Sequence, residues 1–132
     1  MAVEATRGRG FEVWEGDVFA FLAERPEPAT GVSAIQLIEH VPRARWLEFF
    51  EGVAGLLRPG GAFLLETINA TNVQALADHF FADPTHTWPG HPETLRLLAE
   101  HAGFVDVQVR FEHPDRRGAA EDVAVWARTA AS

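Results

Sequence analysis

Cysteine is absent from this 132-residue chain, which removes disulfides, thiolate zinc sites and cysteine nucleophiles together. Basic residues are scarce: 11 Lys+Arg against 19 Asp+Glu leave a formal charge of −8. A nucleic-acid backbone or an anionic membrane is therefore a poor main partner. No apolar run is long enough to span a bilayer, and Met1–Gly10 has no apolar stretch of the kind a secretory leader needs. No glycine-rich loop follows a strand in the first part of the chain. Gly8-Arg9-Gly10 precedes the first apolar–polar alternation instead of following it. These absences point to a cytoplasmic domain with no nucleic-acid partner and no membrane span. The 47% hydrophobic content is ample for one packed core.

What is present reads as alternating strands and helices. Residues 1–10 are small, charged and glycine-bearing, and are expected to be disordered; residues 11–132 form the domain. Phe11–Glu15 alternates apolar and polar residues, the period of a half-buried strand. Val18–Glu24 has helical spacing, and Gly31–Leu37 is an apolar run expected to be a buried strand. Trp46, Phe49, Phe50, Val53, Leu56 and Leu57 place one apolar face on a helix that Pro59-Gly60-Gly61 should terminate. Ala62–Thr67 is a second buried strand, and Asn72 suits the cap of a helix from Val73 to Phe80. Pro92–His101 reads as a helix, and Val105–Phe111 with Asp122–Arg128 as a closing antiparallel pair around a polar turn, Glu112–Glu121. Five strands and four helices in this order predict an α/β fold with a mainly parallel sheet.

Polar and ionisable groups cluster where the Gly31–Leu37 strand stops, in Gln36-Leu37-Ile38-Glu39-His40. The carboxyl ends of parallel strands are where open α/β sheets bind ligands. Glu39 and His40 have three readings from their chemistry: metal ligands, a general base with its neighbour, or capping groups of the helix beginning near Pro42. Asp17 is a natural N-cap for the helix at Val18. Asp83-Pro84 and Trp88-Pro89 stiffen the segment between Phe81 and Gly90, which suits a lid or a rigid connector.

Together, Glu15-Gly16-Asp17, the Ile35–His40 run, Leu57-Arg58-Pro59-Gly60-Gly61 and Ala102-Gly103-Phe104 resemble a Rossmann-like S-adenosylmethionine-dependent methyltransferase. Phe80–Glu93 and Glu66-Thr67-Ile68-Asn69 are similar to a subgroup found beside polysaccharide and glycosyl-transfer enzymes. The resemblance implies a partial methyltransferase sheet, strands 3 to 7 of the order 3-2-1-4-5-7-6, with the last strand antiparallel. The family's first two βα units, about 60 residues at the usual size of such units, have no counterpart in the sequence.

By the same resemblance, Asp17 and Val18 would contact the adenine of S-adenosylmethionine, and Ile35 and Gln36 its methionine side. Glu39 and His40, with His86 from Thr85-His86-Thr87-Trp88, would hold a divalent metal or act on a hydroxyl acceptor. Related enzymes have Glu-x-x-Glu-His at this place; here the first carboxylate is the amide of Gln36. The implied reaction is O-methyl transfer to a small-molecule, glycan or lipid-linked hydroxyl. The alternative is a non-catalytic module that pairs with itself or a partner chain through an open sheet edge.

Overall fold

The structure, a computed structural model, describes residues 2–24, 26–111 and 119–131. Most of the Glu112–Glu121 turn, with His113, lies outside the described residues. Helix α1 (Ala2–Gly8) forms where composition suggested a disordered end. Helix α2 (Val18–Ala23) follows, then β1 (Ala29–Ile35), α3 (Trp46–Leu56), β2 (Leu57–Ile68) and a short α4 (Val73–Ala75). Next come α5 (Pro92–His101), β3 (Val105–Phe111) and β4 (Asp122–Arg128).

These strands make one four-stranded sheet in the order β1-β2-β4-β3, with β1 and β2 parallel and β4 antiparallel to both its neighbours. That arrangement matches the 4-5-7-6 part of the expected order. Phe11–Glu15 is not a strand. Alternation over five residues gives an extended segment no ladder unless a neighbour offers free backbone groups. Here Trp14 turns onto Phe21, ring centroids 5.5 Å apart, and its Nε1 donates to Glu24 at 3.2 Å. Among the described residues no helix is long and apolar enough to cross a membrane.

Helices α3 and α5 cover one face of the sheet, and α2 packs on α3. The inward residues of the central strands, Phe63 and Leu65 on β2 and Val123, Val125 and Ala127 on β4, are fully buried under them. Trp46, Phe49, Phe50 and Val53 recur at i, i+3, i+4 and i+7 and are all buried, so the helical period read from sequence is the packed face of α3. Phe63 is the hub. Its ring lies 6.4 Å from Phe49, 5.9 Å from Phe50 and 5.4 Å from Phe104. Between α2 and α3 the approach is close enough that a Cβ on Gly52 would meet Leu22 Cδ1 at 2.7 Å.

The Pro59-Gly60-Gly61 segment does not end the helix as expected. Residue Leu57 already leaves the helix and pairs with Ala29, after which the register shifts to Gly31 opposite Ala62. The three residues are the bulge that absorbs this shift, with Gly60 at φ +74°, a conformation in which glycine avoids the Cβ clash.

All four strands bring an end to the same rim. Ile35, Ile68 and Phe111 finish their strands there and Asp122 begins β4, with Ile68 opposite Asp122. Truncating the hub, Phe63→Ala, should lower unfolding stability by about 3–5 kcal/mol, the range for a buried Phe losing its ring. Denaturant unfolding followed by circular dichroism measures it, and a loss below about 1 kcal/mol would show that the aromatic cluster is not the centre of the core.

Candidate functional site

Strand β1 ends in an unusual way. Gln36 donates its backbone N–H to the Glu66 carbonyl at 2.8 Å, one residue past the strand, while adopting φ +53°. A non-glycine residue in that region carries strain, which must be held by its surroundings. The side-chain Nε2 of Gln36 donates to Asp122 Oδ1 at 3.0 Å, tying the turn to β4. The chain then makes a tight turn, Ile38–His40, which buries Ile38 and Glu39 and leaves the His40 ring exposed.

The segment from Phe81 to Gly90 crosses this turn and is fastened to it. Thr87 donates its amide to the Glu39 carbonyl at 2.6 Å, and its hydroxyl reaches the Val41 carbonyl at 2.5 Å. Thr85 Oγ1 lies 3.0 Å from His40 Nδ1, and Arg43 sits 4.3 Å over the Trp88 ring. So the segment forms a fixed wall beside the rim. Asp83 organises it: Thr85 donates to Asp83 Oδ1 through its amide at 2.8 Å and its hydroxyl at 2.6 Å. Those two hydrogen bonds hold the Asp83 carboxyl below the usual carboxylate range.

The result is that Glu39, His40 and His86 come together. One donor atom of each lies within 4.8 Å of the others. The His40 and His86 rings are 4.7 Å apart, edge to face. Glu39 is 1% exposed, and its Oε1 is buried with no hydrogen-bond donor among the described residues. A buried carboxylate oxygen without a donor is costly unless a cation or ligand group completes it. His86 Nδ1 is 2.6 Å from the Phe80 carbonyl. A carbonyl only accepts, so Nδ1 carries a proton; Nε2, 3.5 Å from Asp83 Oδ2, pairs with that carboxylate when protonated and is a ligand or acceptor atom when it is not. This donor set fits a first-row dication: one carboxylate, two imidazoles, and a ring N–H anchored on a backbone carbonyl.

The cleft beside them, about 420 Å³, is also lined by Gln36, Ile68, Asp78, His79, Glu121 and Asp122. A neighbouring cavity of about 460 Å³ runs along the rim past Glu66, Arg110 and Asp122. Sequence reasoning missed Asp83, Thr85 and Asp122. The Asp-x-Thr spacing of Asp83 and Thr85 was the available signal, since a side chain bonding two residues ahead is a common turn device. Nothing local pairs Gln36 with Asp122, 86 residues away.

The other residues expected to bind a cofactor sit as follows. Asp17 Oδ2 accepts from the amides of Phe19 and Ala20, so the capping role is realised. It is exposed, and its charge is near enough to help raise the Arg45 guanidinium after the stronger effect of the Arg45–Glu48 hydrogen bond. Val18 is half-buried behind it. Ile35 is 50% exposed at the strand end and so does not fill the core. His79 lines the same cleft without joining the Glu39 set, His101 lies in the last turn of α5, and His91 caps α5 through Nδ1 on the Glu93 amide.

Two outcomes follow. In metal-free buffer, Glu39→Gln should raise the melting temperature by a few degrees, because on the order of 1 kcal/mol of burial penalty is relieved. An unchanged or lower melting point would show that Glu39 is satisfied as it stands. Asp83 has a depressed folded pKa, so its contribution is present above the ordinary Asp range and is lost as pH falls through the depressed value. Hydrogen exchange at the Thr85 amide should therefore stay protected at pH values where free Asp side chains are half protonated. Loss of protection already there would remove the Asp83–Thr85 turn as the cause.

A family model described as a methyltransferase domain matches residues 2–109. Solved structures share the fold. One is an S-adenosylmethionine-dependent methyltransferase from Archaeoglobus fulgidus, at TM-score 0.80 and 23% identity over 90% of this chain and 68% of that one. An O-methyltransferase family protein from Burkholderia thailandensis matches at TM-score 0.71 and 17% identity, over 92% of this chain and 36% of that one. Human N-acetylserotonin methyltransferase, solved in complex with S-adenosylmethionine, matches at 0.64 and 20%, over 89% and 33%. The chain thus spans about a third of the length of the latter two. No curated protein matches it significantly. With the domain model covering most of its length and the sheet order agreeing, the chain belongs to the methyltransferase domain family.

Proposed function

We propose that this domain takes part in methyl transfer from S-adenosylmethionine to a hydroxyl acceptor, with Glu39, His40 and His86 as the reacting edge of the site. The observation that carries the reading is the orphaned, buried Oε1 of Glu39 beside two imidazoles, at the carboxyl rim of a methyltransferase sheet. Such a rim is where this class of sheet takes its ligand.

S-adenosylmethionine, when bound, supplies the electrophilic methyl group. The described residues fit it in part. Asp17 keeps Oδ1 outside its cap hydrogen bonds and can accept from the adenine amino group, with Val18 beside it. The exposed Ile35 side chain and the strained Gln36 turn would lie along the methionine side. Among the described residues no glycine-rich loop follows a strand, so contacts to the ribose and the amino-acid end are not assigned to this chain.

Glu39, His40 and His86 would hold a divalent metal, whose Lewis acidity lowers the pKa of an acceptor hydroxyl. Glu39 would give an oxygen ligand, its buried Oε1. His86 presents Nε2 because Phe80 fixes its Nδ1 proton. The wall from Phe81 to Gly90 limits water on one side. The polar rim cavity, lined by Glu66, Arg110 and Asp122, has the size of a small-ligand site and would receive the acceptor, a hydroxyl on a glycan or lipid-linked intermediate. A second reading makes His40 a general base without metal. Its exposed ring, open to the cleft, favours that possibility.

Calorimetric titration of the full chain with S-adenosylhomocysteine tests the donor side: heat of binding is expected, and none at millimolar ligand would overturn autonomous donor binding. Titration with Mn²⁺ or Zn²⁺ tests the other side. Wild type should bind, with Glu39→Gln and His86→Ala each at least about tenfold weaker. Equal affinity in all three removes the metal reading and leaves His40 as base.

A further inference from the structure

The hydrogen bonds around His40 form a directed chain. Thr85 Oγ1 lies 2.6 Å from Asp83 Oδ1 and 3.0 Å from His40 Nδ1. A hydroxyl has one proton to donate and can accept as well. The carboxylate of Asp83 only accepts, so at 2.6 Å the Thr85 proton points at Asp83. The oxygen of Thr85 is then left as an acceptor towards His40. Only an Nδ1–H can satisfy it.

We propose that Asp83, acting through the Thr85 hydroxyl, is the positioning residue that fixes His40 as the Nδ1–H tautomer with the Nε2 lone pair free towards the cleft. This deepens the reading of Glu39, His40 and His86 as the reacting edge, and rests on it for its use. The same carboxylate lies beside both imidazoles. Oδ1 orients Thr85 and hence His40, while Oδ2 lies 3.5 Å from Nε2 of His86. His86 is held in the same tautomer by a different acceptor, the Phe80 carbonyl at 2.6 Å. Each ring is thereby given one neutral tautomer, with its proton on Nδ1 and Nε2 as the atom left to bind. That is the state needed by a ligand, and equally by a base.

The arrangement is not what solvent would choose. A free neutral imidazole in water favours the proton on Nε2, so an Nδ1–H form at an exposed histidine is a signature of the Thr85 contact. The loop is placed to enforce it. Thr87 clamps the wall onto the backbone of Glu39 and Val41, two residues beyond Thr85, so Thr85 is delivered opposite His40 and not left to wander.

Long-range ¹H–¹⁵N correlation of the ring nitrogens, on the full chain without metal and at a pH where histidines are neutral, reads the tautomer directly. Wild type is expected to show His40 as Nδ1–H. Thr85→Ser should keep that form, while Thr85→Val and Asp83→Asn should shift His40 to Nε2–H or to a mixture. His86 should stay Nδ1–H in Thr85→Val, because its anchor is a backbone carbonyl. Wild-type His40 found as Nε2–H, or an unchanged Nδ1–H form in Thr85→Val, overturns the proposal. The wild-type measurement alone decides it should a variant fail to fold. Failure of metal binding in the wild type would sink the metal reading without touching this one, since the tautomer is read with no metal present. In a chain that does bind Mn²⁺ or Zn²⁺, Thr85→Val should weaken binding about tenfold and Thr85→Ser should restore it.

Discussion

Two carbonyl oxygens carry the architecture of the site. The Glu39 carbonyl accepts the Thr87 amide, and the Val41 carbonyl accepts both the Thr87 hydroxyl and the buried Trp46 Nε1 at 2.9 Å. Trp46 is the first residue of α3 and is seated in the core with Phe49 and Phe50. The rim turn is therefore anchored to the core on one side and to the Phe81–Gly90 wall on the other. Without these acceptors His40 and His86, 46 positions apart in the chain, would share no frame. Buried backbone groups need partners. Here that requirement also fixes the geometry of the ionisable groups.

The sheet supplies the rigidity this depends on. Residues Phe63 and Leu65 on β2, with Val125 on β4, are fully buried, and the parallel β1–β2 register places Ile35 opposite Glu66 at the rim. A second, smaller cluster of Ile68, Ala75 and Phe80 sits under the far end of the cleft. Phe80 stacks on His86, centroids 5.0 Å apart, and gives it the Nδ1 acceptor. The turn Leu76–Phe80 is wound as a π-helix, a form often found where a side chain has to be aimed. Thus the packing of an apolar residue and the orientation of a candidate ligand are one event.

Much of this was legible in sequence where the signal was periodic. The apolar face of α3, the span Pro92–His101 and the strands Val105–Phe111 and Asp122–Arg128 all emerge as read. Glu39, His40 and His86 were named as a set, and the fold brings them together. What failed was structure that depends on partners. Phe11–Glu15 alternates correctly yet has no ladder, and Pro59-Gly60-Gly61 looked like a helix stop because a register shift between strands leaves no local trace. Thr85 is one hydroxyl among many until the fold sets it beside His40. Its role lies in a contact across 45 positions.

Gln36 shows how a departure from a family pattern can be explained by its neighbours. The resemblance implies a carboxylate where this chain has an amide, and an amide is the weaker ligand for a dication. In this fold, however, the side chain faces Asp122 Oδ1 at 3.0 Å. A glutamate there would set two carboxylates against one another at hydrogen-bond distance, and one would be driven towards its protonated form. The amide instead donates, and in doing so holds a turn whose φ of +53° few side chains would accept unaided. Asp122, the acceptor of that amide, lines the same cleft as the Glu39 cluster. Asp122 is engaged by Gln36, while Glu39 is the carboxylate of the Glu39, His40 and His86 set and keeps a buried oxygen without a donor among the described residues.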